Sequence, residues 1–296
     1  MITTAKGKKM KTNASKTIRL IYPQWQGGDI AHWFKGLPKE EISKGYFLGA
    51  KLLELLTHST SHQTLEVPVS QEFKREIKDG VLDKSDILKQ TKAAMKLITE
   101  SKPDKILTLG GECSVSVAPF SYLASKYGDD VAMLWIDTHP DIGLPNDEYK
   151  AYHAMAVTHL LGLGDKEILK VLPAKIPAQN TLLVGLHSEE AKFYAKRQKE
   201  LGLKALKAKK VSSKKVLQWL QGTKASKVVI HLDLDVLDFS EIYVAVGNSG
   251  KLKMKEVAHI IESVSAHYEI VGLSIAELMP KELIKLQNML QKLPLM

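Results

Sequence analysis

Residues 131–141 read VAMLWIDTHPD, an apolar run ending in three ligand-type side chains at alternate positions, Asp137, His139 and Asp141. If the chain stays extended, alternate residues face the same way, and two carboxylates flank an imidazole at a strand end. Carboxylate and imidazole together suit divalent manganese, iron, cobalt or zinc. A second run, VVIHLDLDVLD, ends with Asp233 and Asp235, again two apart. Either cluster alone is better explained by capping or turn formation, because an aspartate readily bonds nearby backbone N–H groups. Together they gather like charge that is costly to bury without a cation. Four carboxylates and a histidine exceed what one structural zinc takes, so a binuclear site is the natural fit.

A third stretch, KILTL, runs into Gly110-Gly111-Glu112-Cys113-Ser114. The glycines permit a tight strand-to-helix turn, and Ser114 suits a helix cap. His153 follows the Asp141 segment by 12 residues in Tyr152-His153-Ala154-Met155, and Glu277 sits in GLSIAELMP at the end of an apolar run. Glu189 and Glu190 follow VGLHS, where acids at a helix N-terminus are an adequate reading.

The elements that must position these residues form an alternation. Apolar runs at 105–109, 131–136, 181–186, 228–234 and 270–275 are separated by helix-like stretches near 114–127, 150–170, 189–201, 212–221 and 253–267. A strand at 17–23 and helices at 42–56 and 87–98 precede them, and a last helix follows Pro280. Near-continuous apolar strands between helices predict an α/β fold with a central parallel sheet covered on both faces. Ligands in such folds bind beyond the carboxyl ends of the strands, where the motifs lie. No repeat or linker divides 17–296, which reads as one domain behind a basic, frayed tail at 1–16.

Composition narrows the classes. The chain has 296 residues, is 44% hydrophobic and carries a formal charge of +9, as ordinary globular proteins do. Arg19, Arg75 and Arg197 are the only arginines, so the positive charge is lysine on solvated faces and implies no specific nucleic-acid partner. The single cysteine, Cys113, excludes an internal disulfide and a multi-cysteine metal site. No apolar run reaches the ~18 residues of a membrane span, and the N-terminus lacks a signal-peptide core. A cytoplasmic protein is expected.

In chain order the three motifs resemble the arginase/agmatinase ureohydrolase family, whose signature is Gly-Gly-Asp-His, then Asp-X-His-X-Asp, then Asp-X-Asp. The resemblance covers about residues 104–280 and implies a three-layer αβα fold, assembly into homo-oligomers and two manganese ions bridged by a hydroxide. Asp137 and Asp233 would contact both ions, His139 and Asp235 one, and Asp141 the other. The hydroxide would attack the carbon of a guanidino or formimino compound, a small-molecule substrate gripped by Glu277 and touched by Glu189 and Glu190. Asp141 would pass a proton to the leaving amine, His153 would exchange protons with solvent, and urea and an amine would leave.

Three positions depart from the family pattern. Its first histidine is Cys113 here, a softer and anionic ligand that biases this position toward zinc, iron or cobalt. A Cys113 that does not ligate would leave one complete metal position, the set of a mononuclear, deacetylase-like amidohydrolase. The loops after Asp141 and Asp238 also lack the family's usual residues, which sets arginine aside as the default substrate. A catalytically weak, metal-binding relative with a regulatory role is the reading from another class.

Overall fold

The computed structural model describes residues 15–187, 192–243, 245 and 250–293. Ten strands form among them: β1 Thr17–Tyr22, β2 Gln63–Glu66, β3 Ile77–Lys78, β4 Val81–Leu82, β5 Lys105–Gly110, β6 Val131–Ile136, β7 Thr181–Leu186, β8 Lys204–Lys207, β9 Lys227–Asp233 and β10 Glu269–Ala276. Eight make one sheet in the order β2-β1-β5-β10-β9-β6-β7-β8, and every pairing in it is parallel. The remaining two, β3 and β4, form a separate antiparallel hairpin. All residues of β6 and β7 are buried, which is why they read as unbroken apolar runs.

The helices are α1 Lys39–Ser43, α2 Gly45–Leu56, α3 Lys84–Ser101, α4 Val117–Tyr127, α5 Ala156–Leu160, α6 Lys166–Leu169, α7 Lys192–Glu200, α8 Ser213–Gln221, α9 Met254–Ser265 and α10 Lys281–Leu290. One face of the sheet packs on α3, α4 and α5 through Ile98, Phe120, Leu123 and Leu160. The other packs on α8 and α9 through Val216, Leu220, Val257 and Ile260. This is the expected αβα sandwich.

The differences from the sequence expectation are local. The helix expected over 42–56 breaks at Lys44 into α1 and α2. The stretch 150–170 divides into a turn at His153–Met155, then α5 and α6. Gly162 (φ +83°) and Gly164 (φ +126°) separate those two helices in conformations that favour glycine. Strand β8 was not expected, because KALK has no apolar run and an edge strand needs little burial. Among the described residues no helix is long and apolar enough to cross a membrane. Most of the basic segment 1–16 lies outside the described residues.

Candidate metal centre

Four neighbouring strands, β5-β10-β9-β6, end side by side, and the candidate ligands follow those ends. Cys113 comes three residues after β5, Glu277 follows β10, Asp233 closes β9 and Asp137 follows β6. Gly111 lets the first turn pass close to its neighbour: a Cβ there would sit 1.9 Å from the Gln24 carbonyl oxygen. Glu112 anchors that turn, accepting from Gln24 Nε2 (2.6 Å), Ser114 N (2.8 Å) and Ser114 Oγ (2.7 Å).

Both aspartate motifs leave the strand in a turn rather than continuing extended. Asp137 Oδ1 accepts from the His139 backbone N–H at 2.6 Å, and Asp233 Oδ1 from the Asp235 N–H at 2.7 Å. The turn reading is compatible with the ligand reading, since each turn occupies one carboxylate oxygen. The other oxygen meets a neighbouring side chain. Asp137 Oδ2 accepts from Trp135 Nε1 at 2.9 Å, and Asp233 Oδ2 lies 2.9 Å from Cys113 Sγ.

The side chains converge in four overlapping groups, each with its ligand atoms within 4.8 Å of one another. These are Cys113–Asp137–His231–Asp233, Asp137–His139–Asp235, Asp233–Asp235–Glu277 and Cys113–His153–Glu277. His139 Nδ1 is 2.9 Å from Asp235 Oδ2, yet off hydrogen-bonding alignment, so that oxygen has no hydrogen-bond partner. Glu277 is shared: Cys113 Sγ lies 3.2 Å and His153 Nδ1 3.0 Å from Oε1, while the Tyr46 hydroxyl donates to Oε2 at 2.5 Å. His153 Nε2 meets the Tyr149 hydroxyl at 2.8 Å.

The electrostatics are those of like charge held without enough compensation. Burial, reinforced by Asp235, pushes the Asp233 carboxyl well above its ordinary range, and burial with Asp137 does the same to Asp141. Burial carries Asp235 up to about 7 despite the opposing His139 imidazole. The Cys113 thiol is pushed well up by burial and by Asp233. On His139 and His153 burial acts downward, but Asp235 and Glu277 respectively outweigh it and hold the proton on. On Glu277 burial acts upward, and His153 outweighs it. On Asp137 the upward effect of burial is likewise outweighed, by His139.

Two backbone conformations mark the same place. Asp141 (φ +47°) and Glu277 (φ +65°) are left-handed, an arrangement that costs roughly 1–3 kcal/mol each for a non-glycine residue and clusters at functional sites. The turn at Asp141 alters its expected role. Among the described residues its carboxylate joins none of the four ligand groups, and Oδ2 is buried without a hydrogen-bond partner. The same-side expectation assumed an extended chain, and the left-handed residue ends that.

A cavity of about 560 Å³ is lined by His139, Asp141, His153 and Asp233 of the candidate site and by the aromatic residues Trp33, Tyr149, Phe193 and Tyr194. Of the expected site residues, the structure brings Cys113, Asp137, His139, Asp233, Asp235, His153 and Glu277 together, with Asp141 at the cavity wall. Glu189 and Glu190 lie outside the described residues. Sequence reasoning missed His231, although it precedes Asp233 by two residues in the same strand, and Tyr46, which has no local signal.

Three relatives give the comparison. Arginase 1, mitochondrial, of Arabidopsis thaliana is 26% identical over 226 residues, 73% of this chain and 58% of the relative. The chain thus spans little more than half that relative's length. The structure of Entamoeba histolytica arginase in complex with L-ornithine superposes with a TM-score of 0.73 at 16% identity, covering 90% of this chain and 92% of that one. Formimidoylglutamase of Bacillus subtilis gives a TM-score of 0.62 at 18% identity, covering 94% of this chain and 83% of that one. At such identities the structural likeness is one of fold. The family model described as "Arginase family" matches residues 49–287, a span that contains all three motifs and all four strand ends, and the chain belongs to that family.

Proposed function

We propose that the chain is a metal-dependent hydrolase that cleaves a C–N bond of a small guanidino or formimino compound, releasing urea and an amine from a guanidino substrate. The convergence of Cys113, Asp137, His139, Asp233 and Asp235 beneath an aromatic-walled cavity carries this reading. The residues fit divalent ions, because Asp141 Oδ2 and His231 Nε2 are buried polar atoms lacking hydrogen-bond partners. Asp137, His139 and Asp235 would hold one ion, and Cys113, Asp137 and Asp233 a second, with manganese suited to the oxygen-rich position. Bound ions would supply a water acidic enough to act as a nucleophile near neutral pH.

The protein's own groups account for the rest of the chemistry. A guanidinium is attracted by the carboxylates below and by the faces of Trp33, Tyr149, Phe193 and Tyr194 around it. Glu277 is the carboxylate that pairs with its N–H groups. Its Oε1 now faces the Cys113 thiol, and loss of that proton on metal binding would free acceptor capacity. Asp141, which lines the cavity with a buried and unpartnered Oδ2, is placed to pass a proton to the leaving amine. His153, between Glu277 and Tyr149 and lining the cavity, exchanges protons with solvent.

Among the described lining residues there is no lysine or arginine to meet an α-carboxylate, and Glu148 adds negative charge. A guanidino-alkylamine therefore suits the cavity better than arginine. The test is metal content of protein purified without chelator, followed by urea release from both compounds. Two ions per chain are expected, with the alkylamine preferred at least ~10-fold in kcat/KM and Asp235→Asn lowering turnover ~100-fold or more. Metal binding with no turnover of any guanidino or formimino compound would replace the enzyme with a metal-binding protein. One ion per chain with amide hydrolysis would select a mononuclear centre on Asp137, His139 and Asp235.

A further inference from the structure

We infer that His231 is a ligand of the Cys113 metal position, and that this imidazole and the Cys113 thiolate together make that position selective for zinc or cobalt over manganese. The inference rests on the metal centre proposed above but assigns a residue to it that the family motifs do not contain. His231 lies on β9 two residues before Asp233, so strand alternation turns both side chains toward the same face. Its ring is fully buried and locked, stacked on Trp135 with centroids 3.7 Å apart and planes 18° apart. Nδ1 is 2.8 Å from Ser116 Oγ. Nε2 has no hydrogen-bond partner, and the ring brings a nitrogen within 4.8 Å of Cys113 Sγ and of carboxylate oxygens of Asp137 and Asp233.

A core histidine that serves packing alone uses both nitrogens, as His159 does. Its Nδ1 is 2.8 Å from the Met155 carbonyl oxygen, and its Nε2 accepts from the Asp165 N–H at 3.0 Å. A buried imidazole that keeps one nitrogen unpartnered beside three side chains of metal-ligand type is instead the arrangement that a cation completes. If Nδ1–H donates to Ser116 Oγ, Nε2 carries the lone pair, which is the usual tautomer and support of a metal-bound histidine. The resulting set of one sulfur, one nitrogen and two carboxylates is four ligands of zinc type. His231 thereby fills the place expected of Asp141, whose carboxylate joins none of the ligand groups among the described residues. The position on Asp137, His139 and Asp235 has no sulfur, so the centre is asymmetric, with one soft and one hard position.

The test is titration of metal-free protein with Co²⁺, read by absorption and by metal content rather than by turnover. One equivalent should give a thiolate-to-cobalt band in the near ultraviolet and intense four-coordinate bands in the visible. Zn²⁺ should displace it, and Mn²⁺ at the same concentration should not. Cys113→Ser should remove the near-ultraviolet band. His231→Gln should keep that band, alter the visible bands and weaken Co²⁺ binding at least ~10-fold, with Mn²⁺ still bound at the other position. Ser116→Ala should weaken Co²⁺ binding less, by up to ~10-fold, through loss of the supporting hydrogen bond. X-ray absorption of the wild-type protein with one equivalent of Zn²⁺ tests the assignment without any variant, and should show one sulfur and one imidazole. Zinc bound with sulfur but no imidazole, or a His231→Gln protein with unchanged cobalt spectrum and affinity, would make His231 a packing residue and leave the metal centre standing. A wild-type protein that binds none of the three metals would overturn this inference and the proposed function together.

Discussion

Lys84 and the strand-end carboxylates both bury charge, and the two regions balance it in opposite ways. Lys84, with its side chain 3% exposed, places Nζ 2.8 Å from Asp165, 2.6 Å from Asp79 and 2.7 Å from Glu167. Burial would lower its pKa, but the three carboxylates raise it, while Lys84 and backbone N–H groups hold Asp165 low against burial. No polar side-chain atom of Lys84 or Asp165 is buried without a partner. At the strand ends Asp233, Asp235 and Asp141 are all pushed up, and Asp141 and His231 each keep an orphaned atom. Buried charge alone therefore does not mark a site. Unmatched charge with unpartnered ligand atoms does.

The sharpest way to break that comparison is to remove one charge from each region. Lys84→Met leaves Asp165 buried beside two exposed acids that can turn back to water. The loss should fall at the low end of the range for breaking a buried pair, about 3 kcal/mol. Asp233→Asn should act in the other direction on metal-free protein, leaving stability within ~0.5 kcal/mol or raising it, because its carboxyl is opposed by Asp235, Glu277 and Asp137. Urea unfolding of both variants in chelator measures the pair. Equal losses would show that the strand-end cluster is balanced internally and has no need of a cation.

Much of this contrast was legible in the sequence, and the illegible part has physical causes. Asp137, His139, Asp233 and Asp235 stand out because like charges at the ends of apolar runs have few inexpensive explanations. The parallel sheet follows from runs such as VAMLWI, which only a strand covered on both faces accommodates. His231 is hidden because an imidazole within an apolar strand reads as core, and only Ser116 and Trp135 reveal which nitrogen is bare. Tyr46 is 231 residues from the Glu277 carboxylate it bonds, a distance no local pattern spans. Asp141 lines the cavity, but its left-handed turn is not legible in the spacing. Lys84 looks like any helix-end lysine until the fold brings α6 to it.

The Lys84 region also holds a histidine whose charge state can be tested. Burial takes the His159 pKa down to about 4, against about 6.5 in an unfolded chain. Between those values the unfolded state binds the extra proton, so the contribution of His159 to stability is complete above about pH 6.5 and is lost as the pH falls toward 4. At pH 5 the loss is about 2 kcal/mol. His159→Gln can keep both hydrogen bonds without titrating, and should remove about that much of the difference between unfolding at pH 8 and at pH 5. A variant as acid-sensitive as the parent would mean that His159 gains a proton within the folded state, and Lys84, Asp165 and His159 would no longer serve as the balanced reference.

Tyr149 is where the comparison turns on a single hydrogen bond. Its hydroxyl meets His153 Nε2 at 2.8 Å, and its ring forms part of the cavity wall. Tyr149→Phe keeps the ring and deletes only the hydroxyl, so a cationic substrate should bind with nearly unchanged KM. Loss of a hydrogen bond to a charged imidazolium is worth about 1.5 kcal/mol at the low end of its range, which corresponds to a fall in kcat of roughly 10-fold. His153 remains oriented by Glu277 at 3.0 Å, which is why the effect should stay that small. A fall of ~100-fold or more in kcat would instead place the hydroxyl in the path of the proton itself. His153 would then reach solvent only through Tyr149, and the aromatic wall would be a relay as well as a surface for the substrate.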